Sequence, residues 1–218
     1  MSGPAGPKPA PMGPSGEPPR SPGDMGGLSV ARLQYDRALE CEVYKLLPGE
    51  FLATGLDLAI STVLGSCVAV CLHDPVVAVG GMNHFLLPGG DRGQGGRYGA
   101  HAMELLINEL LRRGAQRERL AAKVAGGARV LDGGTVFDVG SRNADFVEAY
   151  LAAERIPVLA SELRGQRPRK LLFFPHRGLA LLRAVGDARD RADWQAEQRY
   201  VQQLVNRAPP PGGGVELF

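Results

Sequence analysis

A chain of 218 residues with a net charge of +2 is long enough for one domain with tails, and too weakly charged to argue for nucleic acid or an anionic membrane surface as partner. Its three cysteines are an odd number and no N-terminal apolar segment resembles a signal peptide, so free thiols in a reducing cytoplasm are expected. The longest apolar run, around Cys67 to Leu72, falls far short of the roughly 20 residues that a membrane span requires.

Residues 1 to 27 hold eight prolines and seven glycines and offer little apolar surface to bury, which predicts a disordered arm. The folded domain is expected over 33–207, and residues 208–218, opening on a Pro-Gly run, are expected to form a flexible tail. The terminal Val215-Glu216-Leu217-Phe218 could serve as a docking peptide, with simple disorder the favoured reading. Inside the domain, Cys67 to Leu72 reads as a strand buried on both faces, followed by Val76 to Val79 and Met82 to Leu87 as a second strand unit. Helical spacing of Met103, Leu106, Ile107, Leu110 and Leu111 predicts a helix over about 98–113, closed by Gly114. Further strands are expected over 124–131, 156–163, 170–174 and 179–185. A second helix over 144–155 would bury Phe146, Val147, Tyr150 and Leu151, and a third over 188–205 would carry Trp194, Val201 and Val205 on one side. This pattern says mixed α/β with helices outside sheet.

Leu64-Gly65-Ser66-Cys67-Val68 is the most informative stretch. A Gly-Ser-Cys step before a buried strand can present a thiol at a strand edge, although a cysteine opening an apolar strand is more often a small buried hydrophobe. His84, on the next strand after a turn around Asp74-Pro75, can reach that thiol and serve as its base. Ser61, Thr62 and Asn83 are the candidates to orient the imidazole. Backbone N–H groups of Ser66 and Cys67 are the expected oxyanion donors.

The segments 61–75 and 80–88, together with Arg97-Tyr98-Gly99, Gly126-Gly127-Ala128 and Gly140-Ser141-Arg142-Asn143, resemble the chemoreceptor glutamine deamidase family, CheD. The resemblance covers about Leu52 to Arg183. It implies an α+β fold of mixed β-sheets packed as a sandwich with helices on the outer faces, similar to cysteine hydrolases of the cytotoxic necrotising type. It implies a cysteine, here Cys67, that attacks the side-chain amide of a receptor glutamine, and a histidine, here His84, that moves the protons through a thioester to glutamate and ammonia. The family's third residue is a threonine at the position of Ser61, with Thr62 the alternative in this chain. The partners implied are cytoplasmic domains of methyl-accepting chemotaxis receptors and a CheC-type phosphatase, which leaves open a regulatory module that binds without catalysis. No cofactor is implied. Ala125, where the family often has phenylalanine, and Leu163-Arg164-Gly165, near a Gly-Gly pair of the family, depart from the pattern.

Other readings fit less well. Cys67, Cys71, His73 and His84 make a poor zinc set, because His73 would lie about 20 Å along the strand from Cys67. The Gly89 to Gly99 segment lacks a phosphate-loop signature and is expected to be a flexible loop beside the active site. Arg164, Arg167, Arg169 and Lys170 lack interleaved aromatic residues and read as solvated surface. Cys41 and Cys71 read as structural or incidental, and His101 and His176 have no evident partners.

Overall fold

The structure is a computed structural model that describes residues 32–87, 92–129, 139–186 and 188–206. The expected N-terminal arm and C-terminal tail lie outside those residues. Among the described residues, ten strands form two five-stranded sheets. The first contains β1 (Leu33–Asp36), β2 (Cys41–Lys45), β4 (Ala59–Leu64), β9 (Arg169–Phe174) and β10 (Leu179–Ala184), in that spatial order. The second runs β3 (Phe51–Thr54), β6 (Val79–Phe85), β5 (Val68–Asp74), β7 (Ala121–Gly126), β8 (Val158–Leu163). Both are mixed, since β2 pairs with β4 and β7 with β8 in parallel while the other pairings are antiparallel.

Side-chain alternation along β5 explains how the layers stack. Val68, Val70 and Leu72 point outward, where α1 (Arg92–Arg112) supplies Met103, Leu106, Ile107 and Leu110 and α2 (Val139–Ala153) supplies Val147 and Leu151. Ala69 and Cys71 point the other way, into a second apolar layer with Tyr44, Ile60, Leu64, Leu171 and Phe173 of the facing sheet. The continuous apolar run of β5 is therefore the centre of a sandwich with two helices on one outer face. The third helix, α3 (Ala188–Asn206), packs against β4 of the other sheet.

Several boundaries differ from the sequence reading, each for a local reason. Val76 and Val77 belong to the turn between β5 and β6 and are exposed, with the backbone of Ala78 in the left-handed region. Helix α1 begins at Arg92, so most of the expected Gly89 to Gly99 loop is helical; its glycines, poor helix formers, conceal this in the sequence. Helix α2 begins at Val139, five residues early, and buries Asn143, Ala144, Val147 and Leu151, with Phe146 and Tyr150 at its margin. Strands β1 to β4 were absent from the expectation, because their short segments lack a long alternating pattern. Val201 and Val205 lie on α3, outside the residues whose side chains are described.

Asp74, at the end of β5, is a buried structural carboxylate. It accepts hydrogen bonds from the N–H groups of Val76 and Gln116 and from the Arg119 guanidinium, tying the β5–β6 turn to the segment before β7. Burial pushes its pKa upward, but these donors outweigh that effect and hold it at about 2. Asp74→Ala strands three donors and is expected to cost about 2–3 kcal/mol in urea unfolding; an unchanged midpoint would contradict the assignment.

Candidate active site

Between β4 and β5 the chain turns through Gly65, Ser66 and Cys67, and each of their carbonyls accepts a hydrogen bond. The Gly65 carbonyl accepts from the Ala128 N–H at 2.7 Å, the Ser66 carbonyl from Asn143 Nδ2 at 2.7 Å, and the Cys67 carbonyl from the Gly127 N–H at 2.7 Å. In a trans peptide the N–H points opposite to the carbonyl, so drawing the Ser66 oxygen toward α2 aims the Cys67 N–H away from it. The Cys67 N–H converges there with that of Gly65, both 3.4 Å from Glu197 Oε1. Gly126 permits the close approach: its φ is +114°, and a Cβ there would lie 2.1 Å from the Cys67 carbonyl oxygen.

His84 enters from β6, on the face directed between the sheets. Its Nδ1 lies 2.8 Å from Thr62 Oγ1, and that hydroxyl donates its only proton to the Leu46 carbonyl at 3.0 Å. The hydroxyl oxygen must then accept from the ring, which assigns the proton to Nδ1 and leaves Nε2 as a lone-pair base. Nε2 is buried without a hydrogen-bond partner. A ring nitrogen of His84, Cys67 Sγ and a Glu197 carboxylate oxygen lie within 4.8 Å of one another. These three offer a thiol, an imidazole and a carboxylate that could hold a metal ion, with the imidazole already oriented by Thr62.

Helix α3 closes the site. Cys67 and His84 are almost wholly inaccessible, and Glu197 is buried above them. A cavity of about 240 Å³ beside the pair is lined by Leu47, Thr62, His84, Lys45, Asp193 and Glu197, among others, so that α3 forms one of its walls. Burial drives His84 down to about 3. Burial, followed by the neighbouring Glu197 charge, pushes the Cys67 thiol well above its usual value, and burial raises Glu197. The resting pair is therefore a neutral thiol beside a neutral imidazole.

Of the sequence-predicted residues, Cys67, His84 and Thr62 meet at this point. Ser61 does not bond His84: neighbouring strand residues face opposite ways, and Thr62 takes the inward position. Asn83 also faces away from the site, accepting from the Val70 N–H and donating to the Ala102 carbonyl. The second N–H converging with that of Cys67 belongs to Gly65, while Ser66 contributes a bound carbonyl. His73 lies against Gly178 at the far end of β5, which leaves the Cys67, Cys71, His73 and His84 set unassembled. Two residues of the site went unread. Asn143 had a signal, being a polar residue in register with Val147 and Leu151 on a buried helix face. Glu197 had none beyond its place near Trp194.

The model of the CheD family, described as CheD chemotactic sensory transduction, matches residues 86–184. A relative from Xanthomonas campestris pv. campestris (strain B100), named "Probable chemoreceptor glutamine deamidase CheD", is 52% identical over 176 residues, covering 80% of this chain and 88% of the relative. The relative CheD 1 of Shewanella oneidensis is 49% identical over 197 residues, covering 88% of this chain and 95% of its own. The chain belongs to the CheD family. A Burkholderia mallei relative of the same kind is 48% identical over 204 residues, 89% of this chain and 87% of the relative. The span of the family model starts two residues beyond His84, while the alignments to these relatives include both Cys67 and His84.

Two outcomes follow from this geometry. A histidine depressed to about 3 is neutral in the folded state while the unfolded chain takes up a proton near 6.5. Its contribution to stability is complete above that value and is lost as pH falls toward 3. Thermal unfolding between pH 6.5 and about 3 is expected to steepen in native protein relative to His84→Gln; parallel curves would contradict the assignment. Asn143→Ala removes the bonds to both the Ser66 carbonyl and the Leu87 N–H. It is expected to cost about 2–3 kcal/mol in chemical denaturation, where a neutral substitution would deny it the anchoring role.

Proposed function

We propose that this protein hydrolyses glutamine side-chain amides of chemoreceptors to glutamate and ammonia, with Cys67 as nucleophile and His84 as general base. The observation that carries the reading is a His84 ring within 4.8 Å of the Cys67 thiol, its Nδ1 held by Thr62 and its Nε2 left without a hydrogen bond, in a chain about half identical to relatives named for this activity. His84 Nε2 takes the thiol proton as sulfur attacks the carboxamide carbon. The oxyanion that forms is stabilised by the Gly65 and Cys67 N–H groups, the pair now 3.4 Å from Glu197 Oε1. The imidazolium returns the proton to the departing nitrogen, ammonia leaves, and a thioester remains. Water deprotonated by His84 adds to the thioester, and collapse of the second tetrahedral species expels the Cys67 sulfur, which regains its proton from His84. The products are a glutamate side chain and free enzyme.

The unit acting in this way is the domain over 33–207. Its substrates, the cytoplasmic helices of chemotaxis receptors, place the reaction in the cytoplasm; no helix among the described residues is long and apolar enough to cross a membrane. A CheC-type phosphatase is a further partner that this reading accommodates. A module that binds receptor or phosphatase without catalysis would have no use for the Thr62 and His84 arrangement beside Cys67.

Incubation with a receptor cytoplasmic fragment is expected to add about one dalton at specific glutamines, read by peptide mass spectrometry, and Cys67→Ala or His84→Ala should abolish the gain. Binding without any mass change would favour the non-catalytic module. Thr62→Ala is expected to lower turnover roughly a hundredfold by releasing the imidazole, whereas Ser61→Ala should leave most of it. The reverse order would return the orienting role to Ser61.

A further inference from the structure

Resting on the deamidase reading, the question that the closed site raises is what α3 does there. Its docked face is Asp190, Asp193, Trp194 and Glu197, spaced i, i+3, i+4 and i+7 along one side of the helix. The Asp190 carboxylate accepts from Lys170 Nζ at 2.9 Å and from Arg183 at 2.5 Å, and Asp193 pairs with Lys45. The Trp194 indole lies on Gly65 so closely that a Cβ there would stand 2.0 Å from the ring, which only glycine allows. One turn further, Glu197 sets Oε1 on the N–H groups of Gly65 and Cys67, beside the sulfur.

That position is where the proposed chemistry requires the reacting side chain. Those N–H groups face the oxyanion during the reaction and the carboxylate oxygen when it ends. A glutamate side chain projecting from a helix is also what deamidation of a helical glutamine leaves behind. We propose that α3 is an intramolecular product analogue: Glu197 occupies the seat of the reacting side chain, and the enzyme stays shut until α3 leaves. Cys67 has no exposed surface in the docked state, so substrate and α3 exclude each other.

The docking is built to be reversible. The described part of this face is held by charge pairs and one indole in place of an apolar stripe: Asp190 is a buried anchor between Lys170 and Arg183, while the Lys45–Asp193 pair nearer the site is partly exposed and weakened by salt. Glu197 is received without a full set of partners: its two N–H contacts are long, and its Oε2 and the His84 Nε2 are buried with no hydrogen bond. Elements with such contacts are the ones that open locally, well below the cost of global unfolding. Departure of α3 would also remove one wall of the cavity beside His84.

The full-length Glu197→Gln protein tests the seat directly, because it places a carboxamide where Glu197 now lies. It is expected to gain about one dalton at position 197 at a rate independent of protein concentration, and the gain should vanish when Cys67→Ala is added. A stable amide at 197 in protein that deamidates a receptor fragment would overturn the proposal and leave the deamidase reading standing. Closure is read separately, through iodoacetamide labelling of the Cys67 peptide in native, Trp194→Ala and Asp193→Lys proteins of matched melting behaviour. Both substitutions are expected to speed labelling about tenfold or more, and Asp193→Lys alone decides if Trp194→Ala does not fold. Equal rates in native and folded variant protein would overturn the closure. Faster labelling with no deamidation of any receptor fragment would uphold the closure and defeat the deamidase reading instead.

Discussion

The peptide joining Ser66 to Cys67 is the constraint on which the site depends. Its carbonyl is held by Asn143 Nδ2, so its N–H must project the opposite way, toward the place where substrate would sit. The Gly65 and Cys67 carbonyls accept from the N–H groups of Ala128 and Gly127. One turn thus carries a sulfur and two convergent N–H groups, and α2 with Gly127 and Ala128 after β7 holds its carbonyls. The fixed orientation is what an oxyanion site requires, since donors that must reorganise during reaction lose most of their value.

The other half of the chemistry comes from the meeting of the two sheets. Thr62 stands on β4 of the first sheet, His84 on β6 of the second, and Cys67 on the bend by which the chain passes between them. Neither sheet alone contains the set. The same burial that orients His84 also discharges it, and with α3 docked the thiol proton has no reason to move. In the proposed scheme, activation is then a matter of exchanging α3 for a substrate and its water, without rearrangement of the pair itself.

How far this was legible in the sequence depended on whether the determining contact was local. Cys67 and His84 could be paired because one short turn separates β5 from β6, and the apolar run of β5 announced a strand covered on both faces. The choice between Ser61 and Thr62 was not open to sequence reading, because the period of two in a strand decides it and β4 gave too short a pattern to establish its phase. The direction of the Cys67 N–H was hidden for a similar reason: it is set by the partner of the Ser66 carbonyl, Asn143, 77 residues away. Glu197 reaches Cys67 across 130 residues, on a helix docked largely by charge, and hydrophobic periodicity reports nothing of that kind.

The central claim is that Cys67, deprotonated by His84, attacks a glutamine side chain. A helical receptor peptide in which the target glutamine is replaced by a diazo-ketone analogue tests it most directly, since the analogue alkylates whichever nucleophile the side chain meets. Peptide mass spectrometry is predicted to place the adduct on Cys67 in native protein and to find none there in His84→Ala. Deamidation of the unmodified receptor fragment while Cys67 remains unlabelled, or an adduct confined to Cys41, would contradict the account.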